Sequence, residues 1–230
     1  MVELKEALQE RERYKNMIFS ESIMLVKVSW MSYYQWQVSD TPFSNVSYLK
    51  EMKWLNVCAD IDDNRKYADI DENGNFAVVN GYCYGSFQTQ SHIPHIEKIE
   101  GAPKDKNCES VDEVLVIFCA TNPERKGKRE TNVIGWYVNA KVYRDYRYGD
   151  DKRFDWSYNI FAESKNCVLL PESERKDNVV WFLPQVKGSE INFGESAYKF
   201  PKKSAPELQK VLKAMADYEG ENWCGMKWKL

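Results

Sequence analysis

Apolar runs separated by short polar loops recur along the chain and predict β-strands. They cover residues 23–30, 76–79, 82–87, 114–120, 131–143, 158–162, 167–170 and 179–183. Asn80-Gly81, between the second and third runs, is a strong signal for a two-residue hairpin turn. Many short strands in a connected series, with helices early and late, indicate an α+β fold. In it a curled mixed or antiparallel sheet forms a small barrel.

Charged and amphipathic segments flank the strands and predict helices. Residues 3–16 are rich in helix formers, and residues 46–55 have helical periodicity. The last helix is predicted to begin after Ser204 as its N-cap and to end before Gly220. No linker separates the strands from one another. The expected organisation is a helical or flexible leader, a single domain and a tail: residues 1–21, 22–223 and 224–230.

The run over residues 131–143 contains Gly135-Trp136-Tyr137. A glycine inside a strand often marks a bulge or the close approach of another backbone or a ligand. The two adjacent rings point to opposite faces of the strand. One ring therefore enters a core while the other is free to face a binding cavity. The sequence does not decide which of the two rings enters the core and which faces the cavity, because it does not give the strand register.

Composition adds an aromatic-rich and locally basic character. The chain has 8 Trp and 14 Tyr, and its net charge is −3, which argues against nonspecific coating of nucleic acid. Residues 123–153 nevertheless carry nine Lys/Arg against five Asp/Glu. This basic cluster is either a phosphate footprint or a solvated loop. Aromatic side chains fill β cores, and they also line pockets for planar ligands.

The search for catalytic or metal-binding motifs is largely negative. His92 and His95, followed by Glu97, have a metal-like spacing, but Pro94 opposes helical presentation and favours a surface turn. Cys83 lies between two glycines in the pattern of a nucleophile elbow, yet its context predicts a hairpin. We therefore predict no catalytic residues, no metal and no cofactor. The six cysteines show no paired spacing, and neither a signal peptide nor a long apolar span occurs, so we expect a soluble, cytoplasmic protein.

Several strings of the chain resemble a known module. They are residues 25–34, 81–85, 114–123, 133–144, 166–171 and the closing helix up to 221–223. Together they resemble the EVE-like modules of the PUA superfamily that are attached to modification-dependent restriction endonucleases in bacterial antiphage defence. The resemblance covers roughly residues 22–223. It implies a PUA-like pseudo-barrel with flanking helices, which binds double-stranded DNA and flips a 5-methylcytosine or 5-hydroxymethylcytosine into an aromatic cage.

The resemblance also implies roles for individual residues. The base-binding candidates are Trp30, Tyr33, Trp136 and Tyr137 as the cage, with Asn139 as reader of the base edge. The phosphate-binding candidates are Arg125, Lys126, Lys128, Arg129 and Arg144. Nothing in the chain corresponds to a cleavage domain, so a nuclease would be a separate domain or subunit and the chain itself is not predicted to be an enzyme. The alternatives are an RNA-binding PUA-like module and an enzyme acting on a nucleotide-like small molecule.

Overall fold

A computed structural model describes residues 2–35, 74–87, 93–124, 130–148 and 157–226. The helix predicted for residues 46–55 lies outside the described residues. So do His92 and the basic loop over residues 125–129.

The described residues form nine strands and three α-helices. The strands are β1 (Ser22–Lys27), β2 (Val78–Val79), β3 (Tyr82–Gly85), β4 (Ser110–Ala120), β5 (Glu130–Tyr148), β6 (Ser157–Glu163), β7 (Cys167–Leu169), β8 (Phe182–Pro184) and β9 (Tyr198–Lys199). The helices are α1 (Val2–Ser20), α2 (Glu172–Asp177) and α3 (Pro206–Ala216).

The strands form one sheet in the order β2-β3-β6-β5-β4-β1-β9, and β7 and β8 also pair with β5. The pairing of β1 with β4 is parallel, and the other described pairings are antiparallel. The α+β class and the mostly antiparallel sheet therefore agree with the sequence-based prediction. The sheet is open, with β2 and β9 at its ends, so the described strands do not close into a barrel.

The predicted hairpin is confirmed. Val79 of β2 pairs with Tyr82 of β3, and the two residues between them both have positive φ, 52° at Asn80 and 84° at Gly81. Two positive φ values in sequence give a turn whose twist matches that of the flanking strands, and Asn-Gly adopts them with little strain.

The central strands are buried on both faces. On one face α1 and α3 cover residues such as Leu25, Leu115 and Trp136, which we call the helix-side core. On the other face β3 and β6 curve over residues such as Phe118 and Tyr137, which we call the inner core. The long strands β4 and β5 therefore look like continuous apolar runs where they are covered twice, which is how the sequence presents them.

Helix α3 contributes an apolar stripe to the helix-side core. Leu208, Val211, Leu212 and Met215 are buried at the spacing of one helical face. Pro206 occupies the first turn, where its missing N–H would have no partner in any case. Ala205 is the N-cap and makes no side-chain cap, so the prediction of Ser204 as N-cap was wrong by one residue.

The register of strand β5 shifts three times against β4 and once against β6, and two of these shifts lie beside Gly135 and Asn139. The register against β4 shifts between Phe118 and Cys119, beside Gly135, where an added Cβ would lie 2.3 Å from the Val168 carbonyl oxygen and 2.6 Å from the Phe76 ring. The expected close approach at Gly135 is thus made by strand β7 and a core ring. A second shift lies at Asn139, which has φ 55°. Its backbone N–H donates to the Glu21 carboxylate at 2.8 Å.

Candidate functional site: an aromatic row on the outer face of the sheet

Trp136, the first predicted cage residue, lies in the helix-side core and is 0% exposed. Its ring stacks on Trp181 with centroids 5.6 Å apart and meets Tyr218 edge-on at 5.7 Å. The indole N–H donates to the Tyr14 hydroxyl of α1 at 2.7 Å. With both its faces and its polar edge occupied by the protein, Trp136 presents no surface to a base in this structure.

Tyr137 and Trp30 lie in the inner core, on the opposite side of the sheet from Trp136. Tyr137 is fully buried against Phe76 and Phe118, with centroids 5.3 and 4.8 Å apart. Trp30 is 3% exposed, and the Arg175 guanidinium lies 5.7 Å from its ring centroid. The sheet separates Trp136 from the other two rings, so the structure does not bring these three into one cage.

Tyr33 and Asn139 are the two remaining base-binding candidates. Tyr33 is partly exposed and stacks on Trp223 with centroids 5.9 Å apart. Asn139 is exposed at the bulge in β5, and its backbone rather than its side chain makes the contact with Glu21. No described contact joins either residue to the other candidates, and their roles in base reading remain predictions.

Arg144 is the one phosphate-binding candidate among the described residues, and the protein already uses its guanidinium. That group donates to Glu97 at 2.9 Å and to the carbonyls of Cys108 and Pro94 at 2.8 and 3.3 Å. Burial acts to raise the pKa of Glu97, but hydrogen bonds from Arg144 and His95 prevail and lower it to about 2. Arg144 therefore holds the segment over residues 94–108 against β5, and its guanidinium has little capacity left for a phosphate.

A different set of rings is partly exposed, on the outer side of β3, β6 and the second half of β5. Five partly exposed rings follow one another there, which we call the aromatic row: Tyr82, Phe161, Tyr84, Tyr158 and Tyr143. Tyr82 and Phe161 stack nearly parallel with centroids 4.7 Å apart. The successive distances along the row are 5.3, 4.9 and 6.1 Å.

Strand pairing explains why Tyr82, Tyr84, Phe161 and Tyr143 share a face, whereas Tyr158 lies beyond a register shift between β5 and β6. Tyr84 pairs directly with Phe161, and Phe161 pairs with Lys141 of β5. Directly opposite residues in a ladder project to the same side of the sheet. The alternate residues Cys83 and Ala162 project the other way, into the inner core. The same strands thus present apolar side chains inward and rings outward, where an exposed sheet face usually carries polar residues.

Two cations flank the end of the row. The Arg147 guanidinium lies 5.1 Å from the Tyr143 ring centroid, and the Lys141 ammonium lies 5.9 Å from it. Lys141 is paired with Asp112 at 3.1 Å and Arg147 with Glu109 at 3.4 Å, and both carboxylates are well exposed. Ion pairs between exposed groups contribute little free energy, so an incoming anion can compete for both cations.

Comparisons with family models, with curated proteins and with solved structures give no match.

Other kinds of site find less support in the described part of the chain. No group of three or more His, Cys, Asp or Glu side chains there is arranged to hold a metal ion. His95 contacts Glu97 through Nδ1 at 2.9 Å. Within the same residues, no helix is both long and apolar enough to cross a bilayer.

The aromatic row was missed from the sequence, although part of its signal is visible there. Tyr82 and Tyr84 alternate with Cys83 and Gly85, which is the pattern of a strand with two different faces. The decisive information is that β6 lies between β3 and β5, because only this order brings Phe161 beside Tyr82 and Tyr84. Strand order between segments that are far apart in sequence is not encoded in local periodicity.

Proposed function

We propose that this chain is a nucleic-acid-binding module that stacks an unpaired or flipped-out base on the aromatic row. The observation that carries the proposal is the continuous series of partly exposed rings with Lys141 and Arg147 at its end. Every base has a π-face, so an aromatic platform binds bases of any sequence, while nearby cations bind the phosphates that link them.

The stacked pair Tyr82–Phe161 is the proposed centre of the platform. Its rings are 4.7 Å apart and tilted by 20°, so each holds the other in place before a ligand arrives. A preordered ring loses little conformational freedom on binding. Tyr143, 5.1 Å from the Arg147 guanidinium, would carry the next base or the sugar, with Arg147 reaching the phosphate. Glu109 and Asp112 would have to release their cations, which predicts a strong dependence on salt.

The finer form of the proposal is a PUA-like reader of 5-methylcytosine or 5-hydroxymethylcytosine in double-stranded DNA, as the sequence resemblance implies. In that form the aromatic row receives the extruded base, and a nuclease in a separate domain or subunit acts on the bound site. The cost of extrusion is a few kcal/mol, which stacking and edge contacts in the site would offset. The RNA-binding alternative uses the same surface without extrusion.

The test is a binding series with the purified chain, followed by fluorescence anisotropy. The probes are single-stranded DNA, single-stranded RNA, and duplexes that carry cytosine, 5-methylcytosine or 5-hydroxymethylcytosine at one position. We expect binding to single strands or to a modified duplex, with Phe161→Ala and Tyr82→Ala each weakening it roughly 10- to 100-fold, the range of one base–ring stack.

Phe19→Ala is the matched control, because Phe19 is an aromatic residue on α1, away from the aromatic row, and 49% exposed. It should leave affinity unchanged. Absence of binding to every probe at low salt, or equal binding by the wild type and both row variants, would refute the platform. If both row variants keep a preference for one modified duplex, residues outside the aromatic row read the base.

A further inference from the structure

Three cysteine thiols meet beneath β3, on the inner side of the sheet. The Sγ atoms of Cys83 and Cys224 are 3.4 Å apart, and the thiol of Cys167 interacts with both. Cys83 and Cys167 are buried, while Cys224 is partly exposed. The Tyr137 hydroxyl faces the same group, and it has no hydrogen-bond partner that meets normal geometry.

The backbone holds Cys224 firmly at this position. The N–H of Trp223 donates to the Leu169 carbonyl at 2.9 Å, and the N–H of Gly225 donates to the Phe76 carbonyl at 3.1 Å. The Asn222 side chain bridges β7 by accepting from the Leu169 N–H and donating to the Cys167 carbonyl. The segment over residues 222–226, which makes a turn at Cys224-Gly225, is thus fixed in the position that brings Cys224 to Cys83.

The environment of the three thiols makes them chemically unequal. Hydrogen bonds from the thiols of Cys167 and Cys83 lower the pKa of Cys224 below its usual range, although partial burial opposes this. Burial raises the pKa of Cys167. Cys224, the only partly exposed residue of the three, is therefore the one that carries thiolate character, and the thiolate is the reactive form of cysteine.

We propose that Cys224 and Cys83 form a reversible oxidation site, in which a hydroperoxide reacts at Cys224 and Cys83 closes a disulfide. In the first step the Cys224 thiolate attacks one oxygen of hydrogen peroxide, the O–O bond breaks, and hydroxide leaves. In the second step the Cys83 sulfur gives up its proton and attacks the sulfenic sulfur, which expels its oxygen as water. Two electrons pass from the two thiols to peroxide, and two waters result.

The geometry requires only a small displacement. A disulfide bond is about 2.05 Å long, so the two sulfur atoms must approach by roughly 1.3 Å. The bond would join β3 to the segment over residues 222–226 and close a long loop. Closing a long loop restricts the unfolded chain, so the oxidised protein should melt higher, by roughly 5 °C or more. This site is independent of the proposed nucleic-acid binding.

The experiment uses the full chain treated with a stoichiometric amount of hydrogen peroxide, then alkylated, digested and analysed by mass spectrometry. We expect a linked peptide pair that contains Cys83 and Cys224 and that dithiothreitol separates. Cys119 should stay alkylated because it lies in the helix-side core, and Cys108 should too because its thiol donates to the Ser110 carbonyl and has no described contact with the three thiols. A link from Cys224 to any other cysteine, or sulfinic acid at Cys224 as the main product, would overturn the assignment.

Two comparisons separate proximity in the folded state from general thiol reactivity. The Cys83–Cys224 link should form at least roughly 10-fold faster in the native chain than in urea, since folding supplies the effective concentration. Faster formation in urea would contradict the proposal. Cys83→Ser should accumulate a dimedone-reactive sulfenic acid at Cys224, whereas Cys119→Ser should behave as the wild type does. Equal dimedone labelling in both variants would rule out Cys83 as the resolving thiol.

Discussion

The two halves of β5 carry similar aromatic rings in different environments, one buried and one partly exposed. Trp136, in the first half, is enclosed by Trp181, Tyr218 and Tyr14. Tyr143, in the second half, is partly exposed between two cations. The difference comes from what covers each half, since α1 and α3 lie over the first half and not over the outer side of the second. An aromatic cluster in a sequence therefore becomes a core or a binding surface according to its neighbours in space.

The largest expected effect is a loss of stability, and it comes from a substitution in the first, buried half of β5. Trp136→Ala removes a fully buried indole and its hydrogen bond to Tyr14, so we expect a loss of about 3–5 kcal/mol in the free energy of unfolding. Urea denaturation followed by circular dichroism measures this loss. Tyr143→Ala, the matched change in the exposed half, should cost less than about 1 kcal/mol. A Trp136→Ala protein of wild-type stability that no longer binds methylated DNA would instead support the aromatic cage inferred from the sequence resemblance.

A smaller effect is expected at the border between the halves, where Glu21 accepts the Asn139 N–H. Burial raises the pKa of Glu21 from 4.5 to about 7, and the Asn139 hydrogen bond opposes this rise only in part. In this window the folded state binds more protons than the unfolded state, so stability falls as pH rises from about 4.5 to 7 and levels off above.

Glu21→Gln keeps a neutral side chain at this border and should remove most of the pH dependence. We expect it to stabilise the protein by about 1–2 kcal/mol at pH 8 and to change little at pH 4.5, after allowance for solvent screening. Thermal and urea unfolding across this pH range measure both values. A variant that is less stable than the wild type at pH 8 would show that the Asn139 hydrogen bond to the carboxylate outweighs its burial.

The smallest effect on stability is expected in the exposed half. Lys141→Gln with Arg147→Gln removes two exposed ion pairs, so the melting temperature should stay within about 2 °C of the wild type. If both cations contact phosphates, the slope of log affinity against log salt should decrease by about 1.4–1.8. Lys15→Gln is the control, since Lys15 is also ion-paired, to Asp217, but lies on α1. An equal change of slope in the Lys15→Gln control would show that Lys141 and Arg147 are not part of the binding surface.

Local patterns were enough to predict much of the fold. Asn80-Gly81 specified a hairpin, Gly135 a close approach, and the apolar runs the central strands. The side of the sheet on which each ring lies was not predictable, because β5 changes its alternation at several irregular positions. A shift of one residue exchanges the two faces of a strand. Local periodicity does not predict a shift at Asn139, where a φ of 55° occurs together with a tertiary contact with Glu21.

The candidate site was predicted less well than the fold. The expectation that one ring of Trp136-Tyr137 faces a cavity assumed a sheet with one open face, but both faces are covered at this point. The members of the aromatic row come from three strands, β3, β6 and β5, and β3 is separated from the other two by a long stretch of chain. Only the assembled sheet places them side by side.

The division between inward and outward side chains on β3, β6 and the second half of β5 has a consequence for how this chain can change. In β3, β6 and the second half of β5, inward residues such as Cys83, Ala162 and Val142 belong to the inner core, while the outward residues are partly exposed. Recognition and folding are therefore assigned to different side chains of the same strands. A library that varies the outward positions 82, 84, 141, 143 and 161 should yield many folded proteins with different ligands, so the sheet can serve as a scaffold for selected binders.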